Sequence, residues 1–115
     1  QTGCAGGWLL MPGDAEKPAE DEMFAAGGLS DVDVLHVAHH GSDSGTTAAL
    51  LALVKPEHAI ISAGLTNAYG HPDKSVVDRL EGIGAKIWRT DLGWDDDSLW
   101  MHADCKGGLV FGRVP

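Results

Sequence analysis

Basic residues are scarce in this sequence: eight lysines and arginines stand against seventeen aspartates and glutamates, for a net charge of −9. No basic patch can therefore hold a nucleic-acid backbone by charge alone, and a polyanionic substrate would need metal ions or a neighbouring domain to neutralise it. Long apolar runs are missing too, so no segment here is expected to span a bilayer, and no signal peptide is expected at the start. Cysteine occurs only as Cys4 and Cys105, near opposite ends and without a CxxC pair. They read as two ordinary thiols in preference to a disulfide stapling the termini, and the compartment stays open. Aromatic content is low, and the four tryptophans are spaced as core and sheet-edge packing, not as a platform on which bases stack.

What is present is enough for a folded unit. Hydrophobic residues at 43% and charged residues at 22% describe a globular chain. A length of 115 residues bounds it to one domain or a piece of one, with a modest core. The first residue is Gln1, as expected of a fragment cut from a longer protein.

Apolar runs and breakers alternate along the chain. Trp8–Met11 reads as a buried strand closed by Pro12-Gly13, and about Ala15–Ala26 as a helix stopped by Gly27-Gly28. Val32–Ala38 is a second strand, Thr46–Val54 a helix ended by Lys55-Pro56, and His58–Ala63 a third strand. Ser75–Ile83 gives a further helix with Val76, Val77 and Leu80 on one face, and Ala85–Arg89, Leu99–His102 and Leu109–Gly112 are short strands. This βαβαβα order followed by strands predicts an α/β fold in which the first three strands are parallel and adjacent. Functional loops then gather at the carboxyl ends of those strands.

Three polar loops fall there. Asp14 follows the first strand and has two readings: an N-cap for the following helix, with Glu16 and Glu20 suiting its first turn, or a carboxylate ligand able to bridge two metals. After the second strand comes His39-His40-Gly41-Ser42. Neighbours on an extended segment point to opposite faces, so both histidines reach one site only if the chain turns, which Gly41 permits. Imidazole is both a common transition-metal ligand and a general acid. Ser42 and Ser44 are read either as caps for the next helix or, for Ser42, as a substrate contact. Beyond the third strand lies "NAYGHP", Asn67 to Pro72, a shaped turn carrying His71, with Asn67 and Tyr69 as candidate substrate contacts. His36, His58 and His102 read as structural. Asp95–Asp97 reads as a solvated turn, because the glycine and distal glutamate of a calcium loop are missing.

The ordered segments "WLLMPGDAE", "DVDVLHVAHHGSDSGT", "VKPEHAIISAG", "NAYGHP" and "VVDRLEGIGAKIWRTD" resemble the metallo-β-lactamase-fold hydrolases. The nearest subgroup is the one at the end of the DNA-uptake channel proteins of natural competence, the ComEC/Rec2 family. The resemblance covers roughly Trp8 to Asp91. It implies two sheets sandwiched between helices, an αββα layering, with a two-metal site at one edge, zinc or manganese being the expected ions. Asp14 would bridge the metals, and His40 would be the terminal ligand of one. His39 would contact phosphate or act as acid and base, with the roles of His39 and His40 open to exchange. His71 would lie on the substrate side. The implied activity is metal-dependent phosphodiester hydrolysis, and the implied location is the extracytoplasmic face if the chain belongs to a competence channel, otherwise the cytoplasm.

The sequence departs from that family in one respect that matters. Its His-x-His-x-Asp-His hallmark, or the His-x-Asp-x-Asp-His variant, is missing, and the usual Gly-rich closing hairpin is replaced by "LGWDDDSLWMHADCKGG". The expectation is a single, partial domain over residues 1–115: the C-terminal half of such a hydrolase, inactive alone and short of metal ligands. A half-domain should leave an apolar sheet face to be covered by the missing N-terminal half or by a second copy in a homodimer. Two other functions fit less of the pattern. One is a non-catalytic binding or assembly module; the other is a hydrolase of small esters or phosphoesters.

Overall fold

The computed structural model describes residues 2–4, 7–64, 70–90, 99–103 and 109–113. Five strands form one sheet in sequence order: β1 (Thr2–Cys4), β2 (Gly7–Leu10), β3 (Val34–His36), β4 (His58–Ile61) and β5 (Lys86–Arg89). β2 to β5 are mutually parallel, linked by helices α1 (Lys17–Ala26), α2 (Ala48–Val54) and α3 (Lys74–Gly82). The three strands expected to be parallel and adjacent are so. β1, which the sequence pattern did not single out, adds to the edge antiparallel to β2. β6 (Leu99–Ala103) and β7 (Leu109–Arg113) pair antiparallel in a sheet of their own. The architecture is a mixed α/β domain.

Element ends differ from expectation for local reasons. The second strand is shorter than Val32–Ala38 because its flanks bond elsewhere: Val32 N–H donates to Val54 O at 2.8 Å, and Asp33 N–H to Trp8 O at 2.9 Å. α1 starts at Lys17, with Pro18 in the first turn, where a missing N–H costs nothing. α2 starts at Ala48 with Thr47 as its cap, the Thr47 hydroxyl accepting from Leu50 N–H. It ends at Lys55 in a left-handed conformation just before Pro56.

Register assigns the two faces of the sheet. Leu10, Leu35, Ala59 and Ile87 are paired across the strands and share one face with Ile61. All three helices pack onto this face: Phe24 of α1, Leu50, Leu51 and Val54 of α2, and Val76 and Leu80 of α3 join one apolar cluster with it. The opposite face carries Leu9, Val34 and Ile60 interleaved with His36, His58, Lys86 and Trp88. There Trp88 Nε1 donates to His58 Nδ1 at 3.3 Å, and Lys86 Nζ sits 4.6 Å over the Trp88 ring. His36 and His58 thus lie on the sheet face opposite the helices. Among the described residues no helix is long and apolar enough to cross a membrane.

Candidate functional site

The carboxyl ends of β2, β3 and β4 open into one pocket, lined by Asp14, Glu16, His39, His40, Ser42, Ser44 and His71. The histidine pair reaches it because the chain does turn after β3. His39, His40 and Gly41 have φ values of 50, 56 and 85 in succession. This left-handed region costs an ordinary residue about 1–2 kcal/mol, and histidine is among those that visit it most readily. Two adjacent imidazoles, which a strand would send to opposite faces, are thereby brought to one pocket.

Neighbouring loops hold the turn in place. His39 N–H donates to Gly13 O at 2.9 Å, Lys17 N–H to Ser44 O at 2.8 Å, and Asp73 N–H to Gly41 O at 2.9 Å. Contact is close enough that a Cβ on Gly41 would sit 2.4 Å from Pro72 Cβ, and one on Gly45 would sit 2.5 Å from Ala15 O. α3 braces the same loop. Asp43 N–H donates to Asp73 Oδ2 at 2.7 Å, Ser75 Oγ donates to Asp43 Oδ1 at 2.6 Å, and the Arg79 guanidinium pairs with that oxygen. The Ser75 hydroxyl first, and Arg79 after it, holds the Asp43 carboxyl below its ordinary value.

Glu20 anchors the far end of the loop. Its carboxylate, 1% exposed, accepts from the N–H groups of Thr46 and Thr47, and from Thr47 Oγ1 at 2.6 Å. A buried carboxylate of this kind is stable only because donors surround it. Nothing in the sequence set it apart from an ordinary acid in a helix's first turn.

Within the pocket, His40 Nδ1 lies 2.7 Å from Ser62 O. A carbonyl only accepts, so Nδ1 carries the proton, and in the neutral ring Nε2 keeps its lone pair. His39 Nδ1 is 3.4 Å from Glu16 Oε1 and 3.5 Å from Ser44 Oγ, and Ser44 Oγ is 2.9 Å from Ser42 Oγ. The His39 ring centroid is 6.3 Å from that of His40 and 5.8 Å from that of His71. His36, behind the site, reaches Ser62 Oγ at 3.1 Å, and burial, then the charge on His40, lowers its pKa.

Two expectations are corrected. Asp14 does not cap α1: the helix begins three residues later with Glu16 at the N-cap position, and the Asp14 side chain lines the pocket. Ser42 and Ser44 do not cap α2, since Thr47 does; both line the pocket, Ser44 beside His39 and Ser42 bonded to Ser44. The structure brings together Asp14, His39, His40, Ser42 and His71, while Asn67 and Tyr69 lie outside the described residues. Glu16 was missed as a pocket residue. In the sequence it read only as an acid suited to the first turn of the following helix.

No family model matches the chain, and no solved structure matches it. Curated proteins do. It is 39% identical over 90 residues to "Competence protein ComA" of Neisseria gonorrhoeae, covering 77% of this chain and 13% of that protein. It is 39% identical over 84 residues to "ComE operon protein 3" of Bacillus subtilis, covering 73% of the chain and 11% of the relative. "Recombination protein 2" of Haemophilus influenzae is 46% identical over 82 residues, with 71% and 10% covered. The chain thus spans about a tenth of the length of each of these relatives. At 39–46% identity, these homologues support one assignment, a segment of the competence DNA-uptake family.

Proposed function

We propose that this chain is the C-terminal part of a metallo-β-lactamase-fold hydrolase, a metal-dependent phosphodiesterase or nuclease that serves DNA uptake. The observation that carries the reading is the pocket itself, where Asp14, His39, His40 and His71 meet at the ends of parallel strands. The names of the competence relatives support the DNA-uptake setting.

The donor set fits part of a metal centre. His40 offers a lone pair on Nε2, its tautomer fixed by Ser62 O as ligating histidines require. Asp14 offers an exposed carboxylate in the same pocket. Among the described residues, however, no three His, Cys, Asp or Glu side chains are grouped to hold an ion. A stable zinc site needs four ligands, or three and water, so no hydrolytic step is derived through a metal here. In this reading Asp14 and His40 contribute ligands to a zinc or manganese ion, and the rest of the shell comes from the missing half of the domain or a second copy. His39 and His71 handle protons on the substrate side. Ser42 contacts substrate through its hydroxyl, and Asn67 and Tyr69 are proposed to do the same.

The test is calorimetric titration of the protein with zinc and manganese, beside turnover of a nitrophenyl phosphodiester and a single-stranded oligonucleotide. Weak binding removed by His40→Ala, with turnover restored when the longer parent protein is assayed, is expected. Metal binding untouched by His40→Ala would sink the ligand assignment. A parent that binds DNA but never cleaves it would favour a binding module, and one that cleaves only the small diester would favour a small-molecule hydrolase.

A further inference from the structure

Glu16 lies in the pocket but has no part in the metal reading. It occupies the N-cap position of α1 with an extended backbone, φ −110° and ψ 180°, yet its side chain makes no capping bond. Its Oε1 instead lies 3.4 Å from His39 Nδ1. Backbone bonds set that approach: His39 N–H to Gly13 O at 2.9 Å on one side, and Lys17 N–H to Ser44 O at 2.8 Å on the other. The segment bearing Glu16 is therefore tied to the histidine turn at both ends.

We propose that Glu16 is the positioning carboxylate of His39, accepting the Nδ1 proton and so leaving the Nε2 lone pair for chemistry in the pocket. An ionised carboxylate only accepts, so the contact selects one of the two neutral tautomers. Ser44 Oγ, 3.5 Å from the same nitrogen, also donates to or accepts from Ser42 Oγ at 2.9 Å and is the weaker anchor. Both Glu16 and Ser44 address Nδ1, on one edge of the ring, so there is no relay from the carboxylate through the imidazole to Ser44. Glu16, His39 and Ser44 therefore do not form a serine-hydrolase triad, and the arrangement matches a histidine that exchanges its Nε2 proton with water or a leaving group. The catalytic meaning of this assignment rests on the hydrolase reading, whereas the contact can be tested without it.

The experiment is long-range 1H–15N NMR of the histidine rings in the metal-free protein, at a pH where imidazoles are neutral. Wild type is expected to show His39 protonated at Nδ1. Glu16→Ala should lose that signature in favour of the Nε2–H form, and Glu16→Gln, whose amide oxygen still accepts, should keep it. His40, held by the Ser62 carbonyl, should stay Nδ1–H in all three and reports an intact fold. A wild-type His39 in the Nε2–H form, or one unmoved by Glu16→Ala, overturns the proposal. No metal or substrate is in the tube, so failure of the hydrolase reading would leave this result standing.

Discussion

His39 and His40 share nearly one backbone conformation, φ 50 and 56, but they face two differently built sides of the pocket. On the His40 side the partner is main chain: Ser62 O follows directly on β4, and the next residue is pinned by Thr90 Oγ1 accepting from Ala63 N–H at 2.9 Å. A carbonyl in that position has no rotamer to change. On the His39 side the partners are side chains, Glu16 at 3.4 Å and Ser44 at 3.5 Å, both longer than a firm hydrogen bond. On the proposed function, this difference suits the two histidines to different roles. A metal ligand gains from a fixed lone pair. A group that takes and returns a proton gains from partners that can tighten when substrate arrives.

Abolishing both sides at once should have the largest effect. Gly41→Ala puts a Cβ 2.4 Å from Pro72 Cβ at a φ of 85, so neither the turn nor its neighbour can stay in place. The expected loss is about 2–4 kcal/mol from strain and overpacking, measured as a lower urea midpoint. An unchanged midpoint would mean that the loops are not interlocked. Glu20→Ala should come next. It strips the acceptor from Thr46 and Thr47 N–H at the buried end of the loop, at a cost of about 1–3 kcal/mol. Glu20→Gln should recover part of this, because one oxygen remains.

A third pair of variants sharpens the contrast without unfolding either side. If the main-chain side is the ligand side, His40→Ala should weaken zinc or manganese binding by about tenfold or more, roughly 1.4 kcal/mol. His39→Ala should leave that affinity within about twofold, or roughly 0.4 kcal/mol. Equal losses in a calorimetric titration would erase the distinction drawn between the two histidines.

How much of this was legible beforehand depends on the kind of signal. The parallel strands were, because valine- and leucine-rich runs separated by helix-length segments leave few alternatives, and register then follows from burial of Leu10, Leu35 and Ala59 on one face. The convergence of Asp14, His39, His40 and His71 on one pocket was legible for the same reason, as loops at the ends of parallel strands share an edge. The left-handed geometry of His39 and His40 was not, since only Gly41 announces a turn and nothing in two histidines specifies φ. Glu20 was hidden for another reason. Its burial depends on α1 packing beside Thr46, a contact 26 residues away in sequence. The capping reading, one of the two open to Asp14, falls because α1 begins only at Lys17, with Glu16 at the N-cap and Pro18 in the first turn.

The smallest expected effect lies behind the His40 side, at His36. Its Nε2 meets Ser62 Oγ at 3.1 Å, on the same residue whose carbonyl holds His40. Burial, and secondarily His40, lowers its pKa from the ordinary 6.5. The folded state thus binds the His36 proton less readily than the unfolded chain does. Between the lowered value and 6.5 the unfolded chain carries more protons, so folding stability rises with pH across that interval. The contribution is complete above 6.5 and is lost as pH falls towards the folded-state value. Asp43 acts further down the scale, its stabilisation lost only as pH drops below the ordinary 3.8. Urea midpoints measured from neutral to mildly acidic pH should therefore fall in wild type, and fall less in His36→Asn, which keeps a polar partner for Ser62 but does not titrate. Identical slopes in the two proteins would show that folding stability owes nothing to a neutral His36.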